Sequence, residues 1–469
     1  SYRYDHAGNV TAITDGNGYT VSFTYDAMGR RAGTDNGTGG HYSYTYDALG
    51  NQTAMTDAEG RTTAYTYDWR GNVLSETDAA GNRISYTYDA LGNQTGETAP
   101  SGAELTSAYD YAWNQVAAVT DAAGETVSYT FRENGLPGEI RYPGGTSEDY
   151  QYDRFGRVTR YIDEAGLTTA YTYDDAGNIL SEDVGGQVTR YEYDKNNRVI
   201  LLTRPDGEEI HYEYDAAGNV TEVTDPEGHR TSYSYTKGGS LASVTDPLGR
   251  KTAFGYDKNG NLTEAVDAAG NKSSAEYGAL GLKSLETDAL GNVTAYGYNQ
   301  MEQAVSVTDA AGGVTSYTYD SSGRLETVRD ANGNTYTFSY DSNGNYSRIT
   351  APDGTAASYE YNELDQVVKE SAPSGLVTEY EYDAKGQLTH IWDNEGMEAA
   401  YTYNEAGNIL TETNALGETT EYSYDQYQRV IRRKEASGAE TSYGYDASGN
   451  LTAMTAPDGT VTSYTYDKN

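Results

Sequence analysis

Tyrosine returns at an almost fixed step along this chain, from Tyr4, Tyr25 and Tyr46 through to Tyr424, Tyr445 and Tyr466. The series holds 23 copies, and its 22 intervals cover 462 residues, a mean of 21. Two intervals differ: Tyr109 to Phe131 is 22 residues and Tyr173 to Tyr193 is 20. A period this regular marks repeats of one supersecondary unit, each burying its face against the next. The expected organisation is a single tandem array of about 23 repeats over residues 1–469.

Each column of the repeat has a physical reading. Two residues before the repeating tyrosine sits another aromatic, except at Ser107 and Ala275, and the two columns together hold 40 of the 48 tyrosines. Tyrosine is therefore placed by the repeat and not by local chemistry. A spacing of two puts both rings on one face of a strand, and the intervening residue, often Thr, is itself a strand former. The next position is Asp in 17 copies, and three residues further on Gly stands in 17 of the 22 complete copies. Asp-x-x-Gly is a type I turn signature: Asp accepts local backbone N–H bonds and Gly takes the position of positive φ. Asn197 and Asp365 are tolerable substitutes for that glycine, whereas Trp113, Glu302 and Gln428 fit the column poorly.

A second turn follows in each unit, usually Asp-x-x-Gly as at Asp121–Gly124, with proline in the second corner at Pro226 and Pro247 and, in copies that begin with Ala, at Pro352 and Pro457. Between the turns lie short β-branched segments such as 220–224, whose apolar residues stand three apart, a spacing that suggests a bulge or strong twist. Residues 63–82 show the whole unit: Tyr65, Tyr67, Asp68, Gly71 and Asn72 belong to one strand and turn, Asp78 and Gly81 to the other turn. The same motif recurs at Tyr88, Asp89, Gly92 and Asn93, and at Tyr214, Asp215, Gly218 and Asn219.

The fold class expected is all-β: each 21-residue repeat contributes two short antiparallel strands to one continuous ribbon. A lone hairpin is marginal in water, so each copy must pair with its neighbours. About 46 strands at about 4.8 Å make a ribbon roughly 220 Å long, and such a ribbon coils. Equivalent tyrosines are expected to stack in ladders across it.

Composition excludes several functions. A net charge of -39 opposes nucleic acid and anionic membranes, which need Lys and Arg to meet phosphate. Low aliphatic content with high charge would suggest disorder, but 12% aromatic residues argue for a thin, distributed aromatic core. There is no cysteine, hence no disulfide, thiolate metal site or thiol nucleophile. The longest strongly apolar run, 199–202, is far too short to span a bilayer, and the first residues do not read as a signal peptide.

The Tyr-Asp-x-x-Gly-Asn pattern, as at 88–93 and 214–219, resembles the YD repeat of RHS (rearrangement hot spot) proteins, over essentially the whole chain. That family includes bacterial polymorphic toxins, insecticidal toxin-complex B/C components, Gram-positive wall-associated proteins and animal teneurins. The resemblance implies a strand spiral forming a hollow, barrel-like shell, extracellular or at the bacterial surface. In toxin members the shell encloses a C-terminal effector. It implies a structural, non-catalytic scaffold whose partners are an enclosed polypeptide cargo or further repeats of the same protein. The alternative is an adhesin, stalk or filament that binds glycans or cell-surface proteins. Toxin members close their array with a self-cleaving segment, which nothing here resembles. The first copy starts mid-strand at Ser1 and the last stops at Tyr466-Asp467-Lys468-Asn469. The chain is expected to be the middle of a longer protein, or a segment that packs end to end with other copies.

No catalytic residue, cofactor or metal site is expected. The histidines (His6, His41, His211, His229 and His390) fall at unlike repeat positions, and a column of similar aspartates singles out no catalytic pair. Adjacent turns could hold Ca²⁺ weakly through Asp oxygens, but Asp capping its own turn is the favoured reading. Asn-x-Thr sequons such as 51–53 follow from the repeat. Trp69, Trp113 and Trp392 lie in or near turns, and Trp69 and Trp392 are the candidate surface contacts. Two irregular patches, 131–145 and 35–40, read as a seam, a kink or plain drift, with drift preferred.

Overall fold

A computed structural model describes residues 1–467; Lys468 and Asn469, on which the last copy breaks off, lie outside the described residues. Among the described residues there are 45 strands and two short 3₁₀ segments, Pro143–Gly145 and Ala279–Gly281, and no α-helix. The chain forms two compact units. The first comprises Ser1–Thr106, Ser234–Thr245 and Gly249–Tyr359; the second comprises Ser107–Tyr233, Asp246–Leu248 and the chain from Glu360 onward.

Within each unit, successive strands pair antiparallel. In the first unit, Thr62–Tyr67 runs against Val73–Thr77, with Tyr65 opposite Glu76, Thr66 opposite Ser75 and Tyr67 opposite Val73. Val73–Thr77 then runs against Arg83–Tyr88, with Ser75 opposite Ser85. The register slips between Thr66 and Tyr67, leaving Leu74 as an extra residue, and it slips at the equivalent point in copy after copy. This bulge accounts for the three-residue apolar spacing. Val220 lies opposite Tyr214 and Val223 opposite Tyr212, because the extra residue turns a step of three into a step of two. Both valines therefore share the tyrosine face, as do Leu325 and Val328 beside Tyr319 and Tyr317.

There is no thick core. Ala12 is the one hydrophobic residue classed as buried among the described residues, and Tyr65 and Tyr67 are half-buried. Accessible surface is 26165 Å², against about 17,000 Å² for a compact monomer of this mass. Cohesion comes from strand ladders and half-buried rings. Such a sheet depends on its turns closing.

Gly218 shows what a turn demands. Its φ is +97°, and a Cβ built there meets nothing within 4 Å. Substitution would therefore meet backbone strain and no clash. Gly218→Val is expected to cost ~1–2 kcal/mol. In a repeat array the loss should be local, so amide exchange should accelerate around residues 214–220. Unchanged exchange there would contradict the αL assignment.

Candidate functional site

The repeat's chemistry is concentrated in its turns. In each copy the first turn follows the tyrosine pair and the second follows the bulged strand, so the two kinds lie at opposite ends of the strands. At the first turn of residues 68–72, Asp68 N–H donates to Asn72 O (2.9 Å) and Gly71 N–H to Asp68 O (3.2 Å). The Asp68 carboxylate caps the same loop. Its Oδ1 accepts from the N–H groups of Arg70 (2.8 Å) and Asn72 (3.0 Å), and its Oδ2 from Asn72 Nδ2 (2.9 Å). Asp89 with Asn93, and Asp215 with Asn219, repeat the arrangement, and Gly71, Gly92 and Gly218 all have positive φ. The second turn at Asp78 and Gly81 is built alike, with Asn82 as the amide partner.

The residues that fit the glycine column poorly adopt its conformation: Glu302 has φ 65° and Gln428 φ 62°. In the copy with the 22-residue interval the positive φ falls on Asn114, not Trp113, and the Trp113 ring packs over Gly135 of the next first turn. In the patch 131–145, Arg132 replaces the capping Asp, yet the turn closes through the same two backbone bonds. Arg132 itself reaches Asp149 at 2.7 Å.

The repeating tyrosine acts through its hydroxyl. Tyr67 OH donates to Gln52 O (2.7 Å), Tyr88 OH to Val73 O (2.8 Å) and Tyr214 OH to Val199 O (2.7 Å). Each acceptor begins the bulged strand of the preceding copy, beyond the paired rows of the ladder to the next strand. A backbone carbonyl left over by the bulge thus gains a donor. Copies are therefore linked here by hydroxyl-to-carbonyl bonds, and the expected ladder of stacked ring faces is corrected. Where the turn ends in Arg instead of Asn, a guanidinium enters the gap. Arg198 Nε donates to Asp194 (2.7 Å) and Nη1 to Asp215 O of the next copy (3.0 Å), with its guanidinium 4.6 Å from the Tyr214 ring centre. Arg30, Arg157, Arg324 and Arg429 do the same. Sequence reasoning missed this column; the signal was there, in Arg alternating with Asn after the turn glycine.

Inside each unit, turns of one stretch meet turns of the other. In the first unit, Gly16 N–H donates to Asn259 Oδ1 (2.9 Å), Asn259 Nδ2 to Asp15 (2.7 Å) and Asn17 Nδ2 to Asp257 (2.9 Å). Ser322 Oγ donates to Asp78 Oδ2 (2.8 Å) and Ser101 N–H to Asn343 Oδ1 (3.0 Å). In the second unit, Lys385 Nζ reaches Glu164 at 2.6 Å and Tyr427 OH donates to Gly185 O at 2.9 Å. Each bond joins a second turn of the earlier stretch to a first turn of the later one. A separation of 242 residues, as between Ser101 and Asn343, is about 11.5 repeats of 21, which brings the two kinds of turn together. The glycine-rich patch 35–40 belongs to this contact. Asn36, 6% exposed, donates through Nδ2 to Gln300 O (3.0 Å), and a Cβ on Gly40 would stand 2.7 Å from that same oxygen. Drift is the wrong reading for this patch: a side chain would block the close approach.

Of the tryptophans, Trp69 is 78% exposed at a first-turn tip, with the Arg70 guanidinium 4.7 Å over its ring. Trp392 is half-buried on the strand Leu388–Asp393, against His390 at 4.9 Å. His41, His229 and His390 sit beside Asp35, Asp225 and Glu398.

The capping bonds hold aspartates below their ordinary range. At Asp47, Asp174 and Asp215 the largest cause is the Asn side-chain amide, followed by backbone N–H groups. At Asp257 partial desolvation pushes upward but is outweighed by Asn261, Asn17 and backbone donors, and the value falls to about 2. Burial raises the hydroxyls of Tyr67 and Tyr88 above their ordinary value.

Three comparisons fit this geometry. The teneurin YD-shell model matches residues 148–274 and 285–439, more than half of the chain, and the RHS repeat model matches segments within 4–104 and 424–469. The solved structure of TcdB2-TccC3-Cdc42 superposes with a TM-score of 0.79 at 13% identity, over 99% of this chain and 34% of that one. A Photorhabdus luminescens Tc holotoxin pore gives 0.72 at 13% identity, with the same two coverages. The double-stranded DNA deaminase toxin A of Burkholderia cenocepacia (strain H111) is 28% identical over 102 residues, 17% of this chain and 7% of the relative. The chain thus spans about a third or less of the length of these relatives. Fold and repeat define a structural β-repeat scaffold. The chain belongs to the YD-shell family of RHS-type repeat proteins.

Two outcomes follow from the turn chemistry. A depressed Asp stabilises the fold fully above its unfolded value and loses that contribution as pH falls through the folded value. The melting temperature should therefore hold from neutrality to about the ordinary Asp value of 3.8 and then fall towards pH 2, as protons reach groups such as Asp257. A fall already complete above the ordinary value would contradict the capping account. Tyr88→Phe leaves Val73 O without its donor and should cost ~0.5–1.5 kcal/mol, read as a lower urea midpoint; no change would contradict the bridge.

Proposed function

We propose that this chain is part of the wall of a hollow, secreted or surface-exposed shell that keeps a polypeptide cargo away from solvent and proteases. The observation that carries this reading is the turn-to-turn contact: in each unit two ribbon stretches are fastened edge to edge, as at Ser101–Asn343 and Gly185–Tyr427. A ribbon fastened along its edges makes an extended wall, and one sheet thick is enough, because the wall needs no interior of its own. The role is mechanical and non-catalytic, and the wall is one array across both units. Relatives support the cargo: one is a deaminase toxin, and the superposed structures are assemblies of TcdB2 with TccC3.

The exposure of Trp69 beneath Arg70 favours a second reading, a surface adhesin that stacks its tryptophan on a sugar ring or partner protein. Single-particle images separate the two. Closed hollow particles support encapsulation, whereas rods or flat sheets contradict it. Glycan-array binding that is lost in Trp69→Ala, and in Trp392→Ala, would favour the adhesin.

A further inference from the structure

Four asparagines fasten one stretch to the other in the first unit, and each stands immediately before a glycine. They are Asn17, Asn36, Asn259 and Asn343, and the whole chain has six Asn-Gly pairs. For three of them the coincidence has a structural cause. Asn17, Asn259 and Asn343 are the third residues of their turns, the ones that reach across, and the fourth is the glycine that closes the turn at positive φ. Asn36 is the first residue of its turn, and Gly37 after it also has positive φ. An amide that ties the stretches together is thus set beside the least hindered peptide nitrogen a chain can offer, since glycine has no Cβ.

That placement permits an intramolecular reaction. The nitrogen of the glycine attacks the asparagine Cγ; the N–Cγ bond forms, the Cγ–Nδ2 bond breaks, and ammonia leaves with the proton that the attacking nitrogen gives up. Water then opens the cyclic imide at either carbonyl, which leaves an aspartate or an isoaspartate. No oxidant or cofactor is needed. In the fastened state two sets of bonds oppose the first step. The attacking nitrogens are engaged: Gly18 N–H donates to Asp15 Oδ1 (2.8 Å), Gly260 N–H to Asp257 O (3.2 Å) and Gly344 N–H to Asp341 Oδ1 (2.9 Å). The amide of Asn259 is also held at both ends by the other stretch, Oδ1 by Gly16 N–H (2.9 Å) and Nδ2 by Asp15 (2.7 Å). Its Cγ turns to the Gly260 nitrogen only when both bonds are released.

We propose that Asn17 and Asn259 are deamidation sites guarded by the contact they make, so that the fastening between the two stretches works as a one-way latch. While the stretches are fastened both amides persist; once they part, each amide is free to cyclise. The product does not refasten. Asn17 Nδ2 donates to Asp257 (2.9 Å) and Asn259 Nδ2 to Asp15 (2.7 Å). A carboxylate in either place has no proton to donate and faces an aspartate of like charge. An isoaspartate in addition lengthens the backbone of a tight turn by one methylene. Asn36 falls under the same rule, because its Nδ2 donates to Gln300 O (3.0 Å). The latch acts whatever the wall encloses.

The full chain, kept folded or in urea in mildly alkaline buffer, is sampled over time by peptide mass mapping, with isoaspartate resolved by chromatography. Asn17 and Asn259 are expected to convert about tenfold or more slowly in the folded chain than in urea. Asp15→Ala removes the acceptor of Asn259 Nδ2 and leaves the backbone bonds of the 257–261 turn in place. It should speed conversion at Asn259 and leave Asn343 at the wild-type rate. Equal rates in the folded chain and in urea, or an Asn259 rate unmoved by Asp15→Ala, would overturn the guarded latch. Amide exchange reads the consequence separately. Asn17→Asp with Asn259→Asp should exchange faster at residues 15–19 and 257–261 than Asn17→Ala with Asn259→Ala, and salt should shrink the excess by screening the new charges. An Asp variant protected as well as the wild type would overturn the one-way step. If the double Asp variant unfolds, Asn259→Asp alone gives the same comparison with Asn259→Ala. None of these outcomes decides whether images show hollow particles, so the latch and the shell reading fail separately.

Discussion

The structure rests on one small recurring unit: a tight turn closed by two backbone hydrogen bonds, which in most copies an aspartate also caps. Asp68 accepts two backbone N–H groups and the Asn72 amide, while Gly71 supplies the positive φ that brings the chain back antiparallel. Strands of five or six residues have little else to align them. Because the turn consumes an extra residue, the next strand begins with a bulge, and the bulge sets which residues share the tyrosine face. The same turns then form the ribbon edges, so a local cap also decides what the ribbon can touch.

Between edges, cohesion passes from neighbour to neighbour. A tyrosyl hydroxyl satisfies a carbonyl of the copy before it, and an arginine bridges two consecutive turns where asparagine is absent. These bonds lie within one or two repeats of each other in sequence, so stability is expected to behave as a sum of local terms. The long-range bonds between stretches are of another kind. They are few, polar and confined to turn tips, and they organise the two stretches of a unit without supplying a core.

Much of this was legible in the residues. The tyrosine pairs marked strands, the two Asp-x-x-Gly columns marked turns, and the three-residue spacing at Val220 and Val223 marked the bulge, because each is a local backbone constraint repeated many times. What the residues did not disclose is non-local. Nothing at Ser101 or Asn343 names the other as its partner; the pairing arises from the accumulated coil of many strands. The reach of Tyr88 to Val73 was hidden because a tyrosine face was expected to stack by its rings. Glu302 and Gln428 looked wrong for a turn because their side chains, unlike their backbones, give no sign of the αL conformation they adopt.

The central claim is that ribbon stretches some 242 residues apart are fastened turn to turn, and the absence of cysteine makes it directly testable. A chain carrying Ser101→Cys with Asn343→Cys, oxidised at high dilution, should form an intramolecular disulfide found by peptide mass mapping, while a pair within the same unit such as Ser101→Cys with Asn259→Cys, whose Asn259 meets the turn at Asp15 instead, should not. Failure of the first pair to close, or closure at an equal rate by both, would contradict the account.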